Sequence, residues 1–232
     1  MKLFRNAFYW FIGLAIVLVL GFWNSYFSKL GEVGHFTHHL HALAMLGWVL
    51  VLITQSWLIR TGRNPQHRQV GKLSLLLAPL VVISGVMVAL YALANTKDPM
   101  SPGFLGVFWI SLFQAALFAL FYGLAIRHRR NMKLHARYMV STALIFLMPG
   151  LVRVLFNYVA PLGVWLPNFY VMFYLPLLIA LWLLFLDWRK QQPLRPFMLF
   201  SALWAAALGL WLVLPGTELW RGFASWCLRH FY

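Results

Sequence analysis

Acidic residues are scarce in this chain. Only 4 Asp and Glu stand against 19 Lys and Arg, which gives a formal net charge of +15. So few carboxylates argue against catalysis by paired acids. The sequence also lacks a Gly-x-Ser-x-Gly elbow, a Walker motif and a dinucleotide fingerprint. These absences argue against a soluble-type hydrolase and against a nucleotide-binding enzyme.

Cysteine is equally rare. The single cysteine, Cys227, excludes an intramolecular disulfide. His230 follows closely in the sequence. One interpretation of the two residues is a catalytic thiol with its imidazole partner, and the other is a loose C-terminal tail.

Apolar residues, in contrast, dominate the composition. The chain is 62% hydrophobic and 10% charged, whereas soluble domains are about 45–50% apolar and about 25% charged. A protein surrounded by lipid can expose this excess of apolar residues. Runs of about 20 apolar residues are also long enough to cross a bilayer. We therefore expect an all-α integral membrane protein, with about seven transmembrane helices in one bundle and one domain, 1–232. The predicted spans are 7–27, 39–59, 73–94, 104–126, 138–158, 167–187 and 197–215.

The basic residues predict the orientation of these spans, because cytoplasmic connections are enriched in Lys and Arg. With the N-terminus in the cytoplasm, the cytoplasmic segments contain Lys2, Arg5, Arg60, Arg63, Arg68, Lys72, Arg127, Arg129, Arg130, Lys133, Arg137, Arg189, Lys190 and Arg195. The other side contains only Lys29, Lys97, Arg221 and Arg229. We expect a cytoplasmic N-terminus and an extracytoplasmic C-terminus. The same distribution argues against a nucleic-acid partner, because no basic surface with interleaved aromatic residues lies outside the spans.

Four of the eight histidines lie close together on the predicted outer side. They are His35, His38, His39 and His41, and Glu32 precedes them. If the second helix begins near Glu32, then Glu32, His35 and His39 share one face. Imidazoles and a carboxylate in that arrangement are suitable ligands for zinc, copper or iron. The alternatives are an interfacial cluster without metal and a pH sensor.

Two further features lie inside predicted spans. His41, Trp48 and Gln55 recur at helical spacing along the second span, so we expect them to face the bundle interior and to line a ligand site. Arg153 is a charge within the fifth span, which by default indicates a functional site. We expect its guanidinium within about 10 Å of the His38 or His41 ring, close enough to share a ligand. Snorkelling toward the headgroups is the alternative for Arg153, and hydrogen bonding between helices is the alternative for the other three.

Histidines also occur in both large basic connections, 62–72 and 127–139. His67 and His135 each come just before a predicted span. If they face each other, they could ligate a haem b from opposite sides. Contact with lipid headgroups is the simpler interpretation.

Several short motifs resemble those of a widespread group of uncharacterised bacterial multi-pass membrane proteins. The resemblance covers residues 38–155 and rests on His41-x3-Met45-x2-Trp48, Gln55, Gly62-Arg63-x3-His67-Arg68-x2-Gly71 and His135-x-Arg137-x-Met139. It implies a location in the bacterial cytoplasmic (inner) membrane, but no activity. Helices with histidines at both ends also distantly resemble b-type cytochromes. However, the third to fifth spans offer no second histidine near the outer side, so a two-haem protein is not expected.

Three function classes follow from these features. The first is a metal-, haem- or quinone-linked redox protein that uses the histidines. The second is a binding or transport protein that holds an anionic amphiphile at Arg153. The third is a structural or accessory subunit of a membrane complex. The sequence leaves open whether the protein is an enzyme.

Overall fold

The computed structural model describes residues 6–32, 34–160 and 170–232, which are almost entirely helical. We number the helices α1 (Ala7–Trp23), α2 (Phe36–Arg60), α3 (Asn64–Ala94), α4 (Pro102–Arg127), α5 (Met132–Val154), α6 (Tyr170–Arg189), α7 (Arg195–Val213) and α8 (Glu218–Phe231). A π-helical turn, Leu155–Val159, continues α5.

Five of the described helices are long and apolar enough to cross a membrane: α2, α3, α4, α5 with its π-helical turn, and α7. Helix α1 is apolar but has 17 residues, and α6 has 20. The fold is therefore all-α and compatible with a multi-pass membrane protein. The start of the predicted span 167–187 lies outside the described residues.

Consecutive helices pack against each other in an antiparallel bundle. Helix α1 packs on both α2 and α5, and each helix from α2 to α6 packs on the next. Arg60 at the end of α2 reaches Asn6 before α1, and Ser74 in early α3 bonds Tyr122 in late α4. The connections rich in Lys and Arg therefore come together at one end of the bundle, here called the basic end. The other end is called the outer end.

Helices α3 and α5 begin earlier than their apolar runs. Helix α3 starts at Asn64, with proline in its first turn. Helix α5 starts after Asn131, whose side chain caps it by accepting from the backbone N–H of Leu134. The interpretation of all of 62–72 and 127–139 as loops is therefore wrong. His67 and His135 lie within the first turns of α3 and α5, so the helical backbone determines where their side chains point.

The C-terminal segment forms α8 instead of a loose tail. The Thr217 side chain caps it, and the Trp220 indole donates to the carbonyl of Leu105 across a gap of 3.0 Å. Helix α8 packs on α3 and α4 at the outer end. Cys227 is 3% exposed, and burial raises the pKa of its thiol. His230 bonds the Trp226 carbonyl instead, so these contacts do not support a thiolate–imidazole pair.

Aromatic rings fill the middle of the bundle between α2, α4 and α5. Trp48 is fully buried, and its ring lies 4.8 Å from Phe118. Phe118 in turn stacks on Phe146 at 5.4 Å. Edge-to-face and stacked contacts of this kind add to the energy of apolar burial. This aromatic layer separates polar side chains near the outer end from polar side chains near the basic end.

Candidate functional site

Arg153 lies in the last turn of α5, toward the outer end, and is largely buried. Its Nη1 donates to the carbonyl oxygen of Pro149 at 2.9 Å. Its Cζ lies 4.2 Å from the ring centroid of Phe22 on α1, a cation–π contact. The guanidinium is therefore held between α1 and α5.

No acidic residue pairs with Arg153, although the described residues include all four acids of the chain. Asp187 pairs with Arg137 and Glu218 pairs with Arg221, while neither Glu32 nor Asp98 lies within 4.0 Å of the guanidinium. A buried guanidinium does not lose its proton, so its charge must be balanced in another way. Phe22 and one carbonyl oxygen are weak substitutes for a carboxylate.

The surroundings of His41 include both His38 and Arg153. His38 and Arg153 are both close enough to His41 to act on it electrostatically. His41 Nδ1 lies 3.1 Å from Ser84 Oγ on α3, and that hydroxyl donates to the carbonyl of Val81. His41 Nδ1 is consequently the donor of the pair, which leaves Nε2 as an acceptor. Helices α2 and α5 both pack on α1 but are not among the closely packed helix pairs themselves.

The other outer histidines do not share a face, because α2 begins at Phe36 and not near Glu32. Glu32 lies in an exposed turn, and His35 is the N-cap of α2. The rings of His35 and His38 flank Tyr91, with centroids 4.1 and 5.0 Å from its ring. His39 bonds Tyr26 at 2.9 Å. The expectation of an early helix start is wrong, and with it the single face of Glu32, His35 and His39.

A metal site in this outer cluster has no support in the structure. Across residues 6–32, 34–160 and 170–232, no three His, Cys, Asp or Glu side chains are placed to hold one ion. The ring nitrogens of His35, His39 and His41 are instead engaged by Thr37, Tyr26 and Ser84. These contacts stabilise the start of α2 and its packing on α3.

The stripe on α2 faces the bundle interior. Trp48 is 0% exposed, whereas Leu43 and Leu50 on other faces are 68% and 62% exposed. The predicted direction of the stripe is confirmed for Trp48. Trp48 Nε1 and Gln55 Oε1 are buried and have no hydrogen-bond partner in the described part of the chain. Whether these residues bind a ligand stays a prediction.

The basic end brings His67 and His135 together. Their ring centroids are 6.5 Å apart with an interplanar angle of 86°. Gln55 is their neighbour, because its backbone carbonyl is close enough to the His67 ring to act on it electrostatically. Its side-chain amide lies beside Gly71, one turn after His67. Residues from three of the motifs behind the family resemblance thus meet in one corner of the bundle.

Sequence reasoning missed the partners of several polar side chains. Arg137, counted as a cytoplasmic loop residue, is buried and paired with Asp187 through two contacts of 2.6 Å. Ser84 and Tyr91 support His41, His35 and His38 from α3. The available signal was weak. Asp187 is the one acid near the basic end of the predicted spans, and Ser84 is a polar residue in an apolar run.

Comparisons with known proteins give no relative from which a function could be carried over. The chain matches no protein-family model, no curated protein and no solved structure.

Proposed function

We propose that this protein binds an amphiphile with an anionic headgroup, and that Arg153, His41 and His38 form the binding site near the outer end. One observation carries the proposal. Arg153 is a largely buried cation inside a span, and each acid of the chain is either paired with another arginine or out of its reach. A ligand carboxylate or phosphate would supply the missing charge.

The donors of Arg153 fit such a headgroup. A guanidinium has five N–H donors in a rigid fork that matches a carboxylate or phosphate. Among the described contacts, one of these donors is used within α5, at Pro149. His41 Nε2 is an acceptor near the cation and can accept a hydrogen bond from a protonated headgroup oxygen. Arg153 and His41 therefore offer complementary chemistry to an ionisable headgroup.

An apolar tail follows from the position of the site. Phe22, Leu18 and Val17 of α1 lie beside Arg153 or the neighbouring turn of α5 at Gly150. Arg153 also lies inside a candidate span, so a ligand that reaches it from the membrane would keep an acyl or prenyl chain in the hydrocarbon. A headgroup near the outer end is reached most directly from the outer leaflet.

The proposal includes the topology and the location. We place seven spans in the bacterial cytoplasmic membrane, with the N-terminus inside and α8 on the outer surface. The clustering of the basic connections at one end supports this arrangement. We also propose membership of the uncharacterised bacterial group named above, supported by the meeting of Gln55, His67 and Gly71.

Binding can be measured with purified protein in nanodiscs of phosphatidylcholine, using a fluorescent fatty acid as the probe. Oleate and lysophosphatidic acid should displace the probe, whereas oleyl alcohol and a neutral quinone with a short tail should not. Arg153→Gln should weaken binding of the probe about 10- to 100-fold, because a hydrogen bond to a charged group contributes about 1.5–3 kcal/mol. Arg153→Lys should restore part of the affinity.

Arg63→Gln is the matched control. Arg63 also lies over an aromatic ring, 4.7 Å from the Trp57 centroid, but at the basic end. Its removal should leave probe binding unchanged. Equal displacement by oleate and oleyl alcohol would contradict the proposal on the wild-type protein alone, whatever the variants do. Equal affinity of wild type and a well-folded Arg153→Gln protein would contradict it as well.

A further inference from the structure

A second polar group, at the basic end, takes no part in the proposed headgroup site. It consists of Gln55 on α2, His67 on α3 and His135 on α5, and we call it the inner triad. The three side chains come from three different helices and meet beyond the aromatic layer. Each of the three side chains carries an atom that can offer a lone pair to a ligand.

His135 is fixed as one tautomer. Its Nδ1 lies 2.9 Å from the carbonyl oxygen of Ala125 on α4. A carbonyl oxygen can only accept, so Nδ1 carries the hydrogen. Nε2 of a neutral His135 is therefore left with its lone pair. The backbone of α4 holds the ring in this orientation.

His67 also has an unused ring nitrogen. Its ring lies close to the backbone carbonyl of Gln55, and its Nδ1 is buried and has no hydrogen-bond partner among the described residues. In the tautomer with its hydrogen on Nε2, Nδ1 offers a lone pair. Gln55 Oε1 is a third buried acceptor that lacks a partner in the part of the chain described here.

We propose that the inner triad binds one divalent transition-metal ion through His67 Nδ1, His135 Nε2 and Gln55 Oε1. Neutral imidazoles and an amide oxygen are suitable ligands for zinc, cobalt, nickel or copper ions. A fourth position stays open for water. The proposal does not depend on the proposed outer site, because the two sites share no residue.

The geometry of the two rings fits one shared ion. With metal–nitrogen bonds of about 2.0–2.1 Å, two imidazoles on one ion have centroids about 5 to 6 Å apart. The observed separation is 6.5 Å, so a small movement brings both rings into range. The carbonyl of Ala125 acts on His135 as the kind of outer partner that orients metal-binding histidines. Arg68 is close to His67, but it is exposed and its charge is screened by solvent.

Gly71 allows the amide of Gln55 to enter the corner. A Cβ at Gly71 would lie 3.2 Å from Gln55 Nε2, which is closer than an ordinary van der Waals contact. The Gly71–Gln55 approach turns the amide nitrogen toward α3. An alanine there would push the amide out of position without removing any ligand.

A bare ion fits the inner triad better than a haem. In a haem with two axial histidines, the porphyrin fills the four equatorial positions of the iron. The unpaired Gln55 Oε1 would then stay without a partner next to the macrocycle. A single ion uses all three acceptors, and burial of an unpaired acceptor costs about 1–3 kcal/mol.

The test is metal binding by the full-length chain, purified through a tag without histidine. After dialysis against Co²⁺ or Zn²⁺ and then against buffer, the protein should retain one ion per chain by mass spectrometry. Bound Co²⁺ should show visible d–d absorption. His67→Gln and His135→Gln should each lower the affinity at least tenfold, and Gly71→Ala should lower it by a smaller factor.

His230→Gln is the matched control, since His230 is exposed on α8 at the other end. It should retain one ion. Stoichiometry below 0.2 ions per wild-type chain would overturn the proposal. A Soret band that requires both His67 and His135 would overturn it in favour of haem. Loss of headgroup binding with normal Co²⁺ binding would count against the outer site alone.

Discussion

Two buried arginines on α5 show what a charge requires inside this bundle. Arg137, 3% exposed, forms a two-pronged pair with Asp187, 2% exposed, at 2.6 Å for each contact. Its Nη1 also donates to the carbonyl of Lys133. Arg153, near the other end of the helix, has an aromatic ring and a carbonyl in place of a carboxylate. This contrast between two residues of one helix motivates the outer site.

Removing one partner of the Arg137–Asp187 pair should strongly destabilise the protein. We expect Asp187→Asn to lower the free energy of unfolding by about 3–5 kcal/mol, because it leaves a buried cation without its counter-ion. The measurement is unfolding by SDS in mixed micelles. The control is Glu218→Gln, since Glu218 is 89% exposed and lies 3.6 Å from Arg221. Its effect should stay below about 1 kcal/mol, and equal effects of the two changes would contradict the argument.

At the scale of helices, α1 and α5 approach each other through glycine. A Cβ built on Gly21 would collide with the carbonyl oxygen of Gly150. A Cβ on Gly150 would in turn lie 3.0 Å from the Leu18 side chain. Glycines at a crossing allow backbones in a membrane to come close enough for extensive van der Waals contact. Asn157 in the π-helical turn adds a hydrogen bond to the carbonyl of Gly21 at 3.2 Å.

Gly21→Ala should therefore separate α1 from α5. We expect a loss of about 1–3 kcal/mol in SDS unfolding, because the obstacle is backbone and cannot rotate away. Gly13→Ala is the matched control on the same helix, since a Cβ there meets nothing within 4 Å. It should be neutral or slightly stabilising, because alanine is the better helix former. The opposite ranking would mean that the two helices do not pack in this way.

The helices also show what sequence periodicity can predict. The fourth predicted span, 104–126, nearly coincides with α4, Pro102–Arg127. The third run, from residue 73, misses the beginning of α3 at Asn64. A run of apolar residues indicates only the part of a helix that contacts lipid or the core. The helical hydrogen bonds themselves continue into the polar residues on either side of the run. Helix α8 was missed for the same reason, since only one of its faces is apolar.

At the scale of the whole molecule, polar side chains gather at two depths on either side of the aromatic layer. The outer group was partly predictable, because the spacing of the α2 stripe indicates which face turns inward. The partner of each outer histidine was not predictable, because Tyr26, Tyr91 and Ser84 contact the histidines from other elements. The inner triad likewise depends on the hydrogen bond of His135 to the carbonyl of Ala125 and on the closeness of His67 to Gln55, which a sequence does not display.

The arrangement of the two ends makes a prediction about topology. Gln66, Asn131 and Gln191 lie at the basic end, so reporter fusions there should report the cytoplasm. Fusions at Thr96 and after Tyr232 should report the opposite side, because Thr96 follows α3 at the outer end and α8 packs there. Alkaline phosphatase, active only outside, and a fluorescent protein, active only inside, give complementary signals at each position. A cytoplasmic signal at Tyr232 together with one at Gln191 would remove α7 as a span. The seven-span proposal would then be wrong.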